Sequence, residues 1–215
     1  MISDVIAAVE SGTRRDRRKA ETRARLLAAA RALFARDGYH ATRPQDIARE
    51  ADVATGTFYV HFADKRDAFL AFTEEASHEL MERVRVRSAG ARGFEERLLA
   101  SLEAIVEYAD EHPGVLAAAF ADAAVIAAGV PSGASLRERL AQSLAAGLRE
   151  GMRRGELRRD YDPAVIGAAI VGLVQGGLRS GAHSRAERSE QLSNLVRFCA
   201  RALVAPARAV RKETR

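Results

Sequence analysis

Tryptophan is absent from these 215 residues, cysteine occurs once and proline five times. A single Cys199 excludes an internal disulfide, and with it the small disulfide-stapled folds of secreted domains; a reducing compartment fits. Scarce proline, together with long stretches of Ala, Leu, Arg and Glu, favours helix over sheet. No uncharged apolar run reaches the length needed to span a bilayer, and residues 1–10 lack the pattern of a secretory signal. A cytoplasmic protein without membrane association is expected. Hydrophobic residues at 47% and charged residues at 29% are the proportions of a globular chain able to bury a core.

Catalytic patterns are missing as well. The histidines are His40, His61, His78, His112 and His183, and none forms an HExxH motif or an i, i+4 pair suited to a metal. His78-Glu79 begins such a motif, but position 82 is Glu82. There is no GxSxG nucleophile elbow and no phosphate-binding glycine loop, and Cys199 sits on an apolar stripe as a small core residue. No catalytic residue, cofactor or metal is expected.

What is present is concentrated charge. Arg14, Arg15, Arg17, Arg18, Lys19, Arg23 and Arg25 stand against Asp16 and Glu21, so this one segment carries the chain's whole net charge of +5. A basic arm running into a helix tracks phosphates or enters a minor groove; the bland alternative is a solvated tail. The helix it enters, 22–37, has an apolar stripe of Leu26, Leu27, Ala30, Leu33 and Phe34, and Gly38 marks its stop.

Residues 41–65, ATRPQDIAREADVATGTFYVHFADK, read as two short helices joined by a turn. Thr42 is placed to cap the first, with Pro44 in its first turn. Ile47, Ala48 and Ala51 share a face, and Asp52-Val53-Ala54 makes the turn, since Asp tolerates the left-handed backbone. Thr55 is placed to cap the second helix, whose Phe58 and Phe62 point inward together while Thr57, Tyr59, Val60 and His61 face away. That is a helix-turn-helix, of which the second helix can enter a major groove.

At these residues the chain resembles the TetR family of transcriptional repressors. The run from Asp46 to Lys65 follows that family's I-A pair, A-G-V turn, G-T-F/L-Y-x-H-F run and closing Lys. Asp52 stands where the family usually has Gly, and Pro44-Gln45 where Thr/Val and Arg are commoner. The specific resemblance covers residues 22–70; beyond it only the helical layout matches. It implies an all-α fold of about nine helices: an N-terminal three-helix helix-turn-helix head and a C-terminal helical effector-binding and dimerisation domain. The expected boundaries are a basic flexible arm at 1–21, the DNA-binding domain at 22–66, the helical domain at 67–205 and a flexible tail at 206–215. DNA contacts are expected from Thr42, Arg43, Gln45, Thr55, Gly56, Thr57, Tyr59, His61 and Lys65. Among these, Tyr59 and Lys65 would bind phosphates, Arg43 and His61 would add backbone contacts, and Gln45, Thr55, Gly56 and Thr57 would approach base edges.

Behind the head the pattern stays helical. Asp64 and Asp67 open a long helix to about Arg87, and 88–93 is a linker. Helices follow at 94–111, at 115–130 and, from the capping box Ser135–Glu138, to about Arg154; Pro131-Ser132-Gly133 breaks the chain before that box. Asp162-Pro163 starts the next helix, to Ser180-Gly181, and the box Ser184–Glu187 starts the last. Ile166, Ile170 and Val174 on one helix, with Leu192, Leu195 and Cys199 on the other, form stripes that fit either an intramolecular core or a four-helix bundle between two chains. The resemblance implies the homodimer.

For an effector, Asp122 lies within about 20° of Val115 on a helical wheel. An acid there would meet a cationic or hydrogen-bonding ligand, or mark the helix's wet side. Phe94, Tyr108, Phe120 and Met152 are candidates for the same cavity, with core packing as the alternative. The function expected is a sequence-specific regulator of a double-stranded DNA operator, a repressor released by a small-molecule effector. An effector-independent DNA-compacting protein would not need some 120 residues of capped apolar helix. A helical-bundle enzyme or carrier would not need the basic arm.

Overall fold

The computed structural model describes residues 2–121, 135–179 and 185–204. Nine helices occupy them: α1 (Ile2–Ala41), α2 (Pro44–Glu50), α3 (Thr55–His61), α4 (Lys65–Ser88), α5 (Gly93–Glu111), α6 (Val115–Ala121), α7 (Leu136–Arg154), α8 (Pro163–Arg179) and α9 (Arg185–Leu203). The fold is all-α, and extended pairing among the described residues is confined to one antiparallel bridge between Leu157 and Val204. No helix of the described residues is long and apolar enough to cross a membrane. The chain divides into two compact units, Met1–Ala76 with His112–Pro131, and Ser77–Glu111 with Ser132–Arg215.

The first unit is built on the apolar stripe of α1. Leu26, Ala30, Leu33 and Phe34 are buried together with Ile47 and Ala48 of α2, Phe58 of α3 and Phe69 and Phe72 of α4. The Phe34 ring lies edge-on to Phe69 at 5.0 Å and tilted to Phe72 at 5.8 Å, arrangements that aromatic quadrupoles favour. Gly38 breaks the helical path of α1 with φ 79° and ψ 170°, where the sequence places its stop. Helix α4 opens on Asp64, whose carboxylate accepts from the Asp67 amide at 2.8 Å, while Asp67 accepts from the Ala63 amide at 2.9 Å.

Two expectations about this unit are corrected. Helix α1 runs back to Ile2, through the arm that the charge run assigns to a flexible segment. Local bonds favour it: Arg17 meets Glu21 one turn on at 3.3 Å, and the Thr22 hydroxyl donates to the Arg18 carbonyl at 2.9 Å. The domain boundary at 66/67 also moves, because Phe69 and Phe72 are core residues of this unit. Residues from later in the chain join it too. Gly114 has φ +81°, and a Cβ there would stand 2.2 Å from the Ala35 carbonyl oxygen, so α6 starts directly against α1.

In the second unit α7 begins with the expected capping box. The Glu138 amide donates to the Ser135 hydroxyl at 3.2 Å, and the Ser135 amide to the Glu138 carboxylate at 3.4 Å. It ends on Gly155 in the left-handed conformation, φ 74°. Asp162 accepts from the Ala164 amide at 2.8 Å at the start of α8. Helices α7 and α8 cross closely at Gly167, where a Cβ would lie 2.6 Å from the Ala141 carbonyl oxygen. Helices α4 and α5 are tied by Arg83–Glu111 at 2.7 Å and by Arg87–Glu107 at 2.9 Å. Expectations on Asp122, Pro131-Ser132-Gly133, Ser180-Gly181, His183, Ser184 and the tail 206–215 lie outside the described residues.

The α7–α8 crossing yields a direct test. Gly167→Ala forces a methyl into backbone, so a net loss of about 1–3 kcal/mol is expected. Gly147→Ala, on the open face of α7 with nothing within 4 Å of the added carbon, should instead gain up to about 1 kcal/mol from helix propensity. Urea midpoints of the two variants decide; equal shifts would remove the close crossing.

Candidate nucleic-acid interface

Helix α2 starts at Pro44, whose missing N–H costs nothing in a first turn. It ends in a Schellman motif. The Val53 amide donates back to the Ala48 carbonyl at 3.0 Å and the Asp52 amide to the Arg49 carbonyl at 3.1 Å. Asp52 occupies the left-handed region, φ 53°, where a side chain other than glycine costs on the order of 1 kcal/mol. The left-handed turn expected from Asp52 is therefore present.

Helix α3 is seven residues long and buries one side only. Phe58 and Phe62 are fully inside, their centroids 5.5 Å apart, and the Arg23 guanidinium covers the Phe62 ring at 4.9 Å. Thr55, Gly56, Tyr59 and Val60 remain exposed, Tyr59 at 52% and Val60 at 67%, with Thr57 and His61 half-buried beside them. The helix carries no acidic residue. Large side chains held on an outward face without acids suit a polyanionic partner. Arg43 and Gln45 are likewise exposed where α2 begins.

Three expected roles change. Thr42 is only 2% exposed and its hydroxyl donates to the Gly38 carbonyl at 2.8 Å, so it neither caps α2 nor faces outward. The N-cap is Arg43, without a side-chain bond. Thr55 is the first residue of α3 rather than its cap, which is Ala54 in extended conformation. Lys65 is partly committed: its ammonium donates to the Tyr39 carbonyl at 2.9 Å and lies 4.3 Å from the Tyr39 ring centroid.

Sequence reasoning missed how the basic run of α1 is used. Arg23 and Arg25 turn inward, to Phe62 and to the α2–α3 turn. Lys19 and Arg23, one turn apart, add their charges at His61; their i, i+4 spacing was the available signal. Burial first, then Lys19 and Arg23, hold the His61 imidazole below its ordinary value of 6.5, and its Nδ1 is buried without a hydrogen-bond partner.

Elsewhere the expected residues scatter. Phe94 and Tyr108 are both buried on α5, fourteen residues apart, about 21 Å of helix. The Tyr108 hydroxyl donates to Glu79 at 2.8 Å with Arg83 over the ring at 5.5 Å. Met152 is half-buried on α7 in the second unit, and Phe120, also half-buried, belongs to the first. A cavity of 280 Å³ does occur in the first unit, lined by Leu33, Thr42 and the charged side chains Arg36, Asp37, Asp46, Arg49 and Glu50. None of the expected effector residues lines it, and within its wall Arg36 pairs with Asp37 and Arg49 with Asp46.

The expected dimer stripe divides between core and surface. Ile170, Val174 and Cys199 are buried within the single chain, while Ile166, Leu192 and Leu195 are half-buried. Burial raises the Cys199 thiol pKa above its ordinary range. The bare face of α8 is a different one: Val165, Ala168, Ala169, Gly172, Leu173 and Gly176 are all exposed, and no described residue lies within 4 Å of a Cβ built on Gly172 or Gly176.

A three-helix head with a Schellman-closed turn and an acid-free outer helix defines the class: a helix-turn-helix domain. Residues 26–72 match the family described as bacterial regulatory proteins, tetR family. The likeness to that family is carried by this head, residues 26–72. It is 33% identical over 99 residues to the HTH-type transcriptional activator FasR of Mycolicibacterium smegmatis, covering 45% of each chain. It is 34% identical over 59 residues to the fatty acid metabolism regulator protein of Bacillus subtilis, covering 27% of this chain and 30% of that one. The matches thus span less than half the length of these relatives. A protein from Saccharomonospora viridis, solved in complex with choline, shares the fold at a TM-score of 0.65 and 22% identity, over 87% of this chain and 100% of that one.

His61 makes the electrostatics of this face measurable. Because the fold favours the neutral imidazole, its contribution to stability is complete above 6.5 and is lost as pH falls from there through the lower folded-state pKa. Titration by nuclear magnetic resonance should place the His61 pKa below 6.5. Lys19→Ala should raise it without restoring the ordinary value, since burial is the larger cause. A wild-type pKa at or above the ordinary value contradicts the assigned surroundings.

Proposed function

We propose that this chain is a sequence-specific DNA-binding transcriptional regulator, a repressor released from a near-palindromic operator by a small-molecule effector. The observation that carries the reading is the outward face of α3: Thr55, Gly56, Tyr59 and Val60 exposed, without an acid, on a helix whose other side is locked by Phe58 and Phe62. An α-helix fits a major groove about 12 Å wide. Gln45, Thr55, Gly56 and Thr57 approach base edges, while Arg43, Tyr59, His61 and Lys65 contact the backbone. The relatives support a regulator rather than an enzyme, since both are named as regulators of transcription or metabolism. Its place of action is the cytoplasm, with the DNA.

The protein acts as a homodimer through the bare face of α8. Six small or apolar residues in a row exposed on one helix, with Phe198 of α9 exposed at 65%, form a patch that a second copy covers by close helix packing. Each protomer then presents one α3, and two half-sites one helical turn apart, about 34–36 Å, give the operator its symmetry. Effector binding within the helices of residues 94–154 acts through α4, which contributes residues to both units. Reciprocity requires operator DNA to weaken effector binding by the same factor that effector weakens operator binding. The activator among the relatives favours a second reading, in which the same head recruits polymerase; a selected site upstream of the promoter rather than across it supports that reading.

Two measurements test the proposal. Selection from a random duplex library should enrich a near-palindrome; recovery of unrelated sequences at equal strength would leave only non-specific binding. Leu173→Glu should yield a folded monomer that binds the enriched duplex at least tenfold more weakly, as seen by sedimentation and gel shift. Ile170→Glu, placing a charge in the core, should unfold the chain instead. A wild type that is monomeric when bound one-to-one to the palindrome removes the dimer.

A further inference from the structure

The Schellman bonds that close α2 use the carbonyls of Ala48 and Arg49, and the Ala51 amide takes that of Ile47. The carbonyls of Ala51 and Asp52 lie beyond those bonds, at the negative end of the helix. Both are taken by one side chain from α1. Arg25 Nη2 donates to the Ala51 carbonyl at 2.5 Å and to the Asp52 carbonyl at 3.2 Å, and the Asp52 carboxylate stands 3.8 Å away. The residue so held is Asp52, the only residue other than glycine with positive φ among those described.

We propose that Arg25 is a positioning residue for DNA recognition: its guanidinium clamps the end of α2, holds Asp52 in the left-handed backbone, and thereby sets the aim of α3. The proposal rests on the DNA-binding reading and deepens it. Only Val53 and Ala54 separate Asp52 from the first residue of α3, so a rotation at Asp52 swings the whole recognition helix. A glycine at this point would hold the conformation unaided; an aspartate needs a partner that fixes its peptide. A guanidinium is suited to the task, because its donors spread in a plane and reach two carbonyls at once. The ion pair with Asp52 adds little by itself, since both side chains are more than half exposed. The carbonyl bonds carry the effect. Arg25 thus differs in kind from the basic residues before it on α1: it spends its donors on the protein's own backbone.

The test compares wild type with Arg25→Ala, Arg25→Lys, Asp52→Gly and the Arg25→Ala/Asp52→Gly double variant. Each is measured for affinity to a duplex enriched by the wild type from a random library, affinity to a scrambled duplex, salt dependence of both, and amide exchange at Asp52 and Val53. Arg25→Ala should lose about tenfold on the enriched duplex, the size of one charged hydrogen bond, with little change on the scrambled one. The slope of log affinity against log salt should stay as in wild type, and exchange at Asp52 and Val53 should quicken about tenfold. Arg25→Lys should not restore protection, and adding Asp52→Gly to Arg25→Ala should restore most of the affinity. Equal losses on both duplexes with a slope smaller by about one, rescued by Arg25→Lys, would make Arg25 a phosphate ligand and overturn the clamp. Unchanged amide exchange in a folded Arg25→Ala overturns it regardless of DNA. If the wild type enriches no duplex, the DNA-binding reading itself fails, and the exchange rates still decide whether Arg25 holds the turn.

Discussion

A seven-residue helix does not hold itself together in water, because nucleation costs more than two turns of hydrogen bonds return. Helix α3 exists because Phe58 and Phe62 are driven out of water, with α2 packed beside them and the Arg23 guanidinium over the Phe62 ring. Everything else in the first unit follows from that requirement. The stripe of α1 supplies the floor, α2 closes one side, and the first turns of α4 bring two more aromatic rings. The same burial leaves the other side of α3 with no intramolecular task. A surface freed in this way can be selected for its partner, and here it carries hydroxyls, a glycine, a tyrosine and no acid.

Charge is arranged in two layers around this head. The outer layer is the basic run of α1, which supplies the chain's net excess of positive charge. The inner layer consists of members of the same run that turn back on the protein: Arg23 over Phe62, and Arg25 on the α2–α3 turn. Lys65 belongs to both, since it is anchored on Tyr39 while sitting half-exposed at the start of α4. A single substitution in such a run therefore has one of two consequences. Loss of an outer charge weakens attraction to any polyanion, whereas loss of an inner one alters the geometry of the reading surface.

In the second unit, small residues serve opposite ends on one helix. Gly167 lets α7 and α8 approach until no side chain fits between them, whereas Gly172 and Gly176 on the far side meet nothing among the described residues. Ile170, Val171 and Val174 fill the core, and the alternating face of Val165, Ala168, Ala169 and Leu173 stays bare. Because α8 is apolar nearly all round, its sequence alone does not reveal which side is covered from within.

The helical class, the paired short helices at 41–65, the left-handed turn at Asp52 and the caps at Ser135 and Asp162 were determined by the sequence itself. Each depends on residues within a few positions of one another, so spacing and side-chain type are enough. The inward pair Phe58 and Phe62 was legible for the same reason, since helical periodicity places both on one face. What only the tertiary structure decided are the relations across long separations. Phe69 and Phe72 belong to the head, and Gly114 brings α6 onto Ala35. Arg25 reaches a turn 26 residues away, and Ile170 rather than Leu173 lies in the core. No local pattern encodes these choices, because each is set by which apolar faces find one another when the chain closes, and the polar groups beside them then take whichever partners that packing leaves in reach.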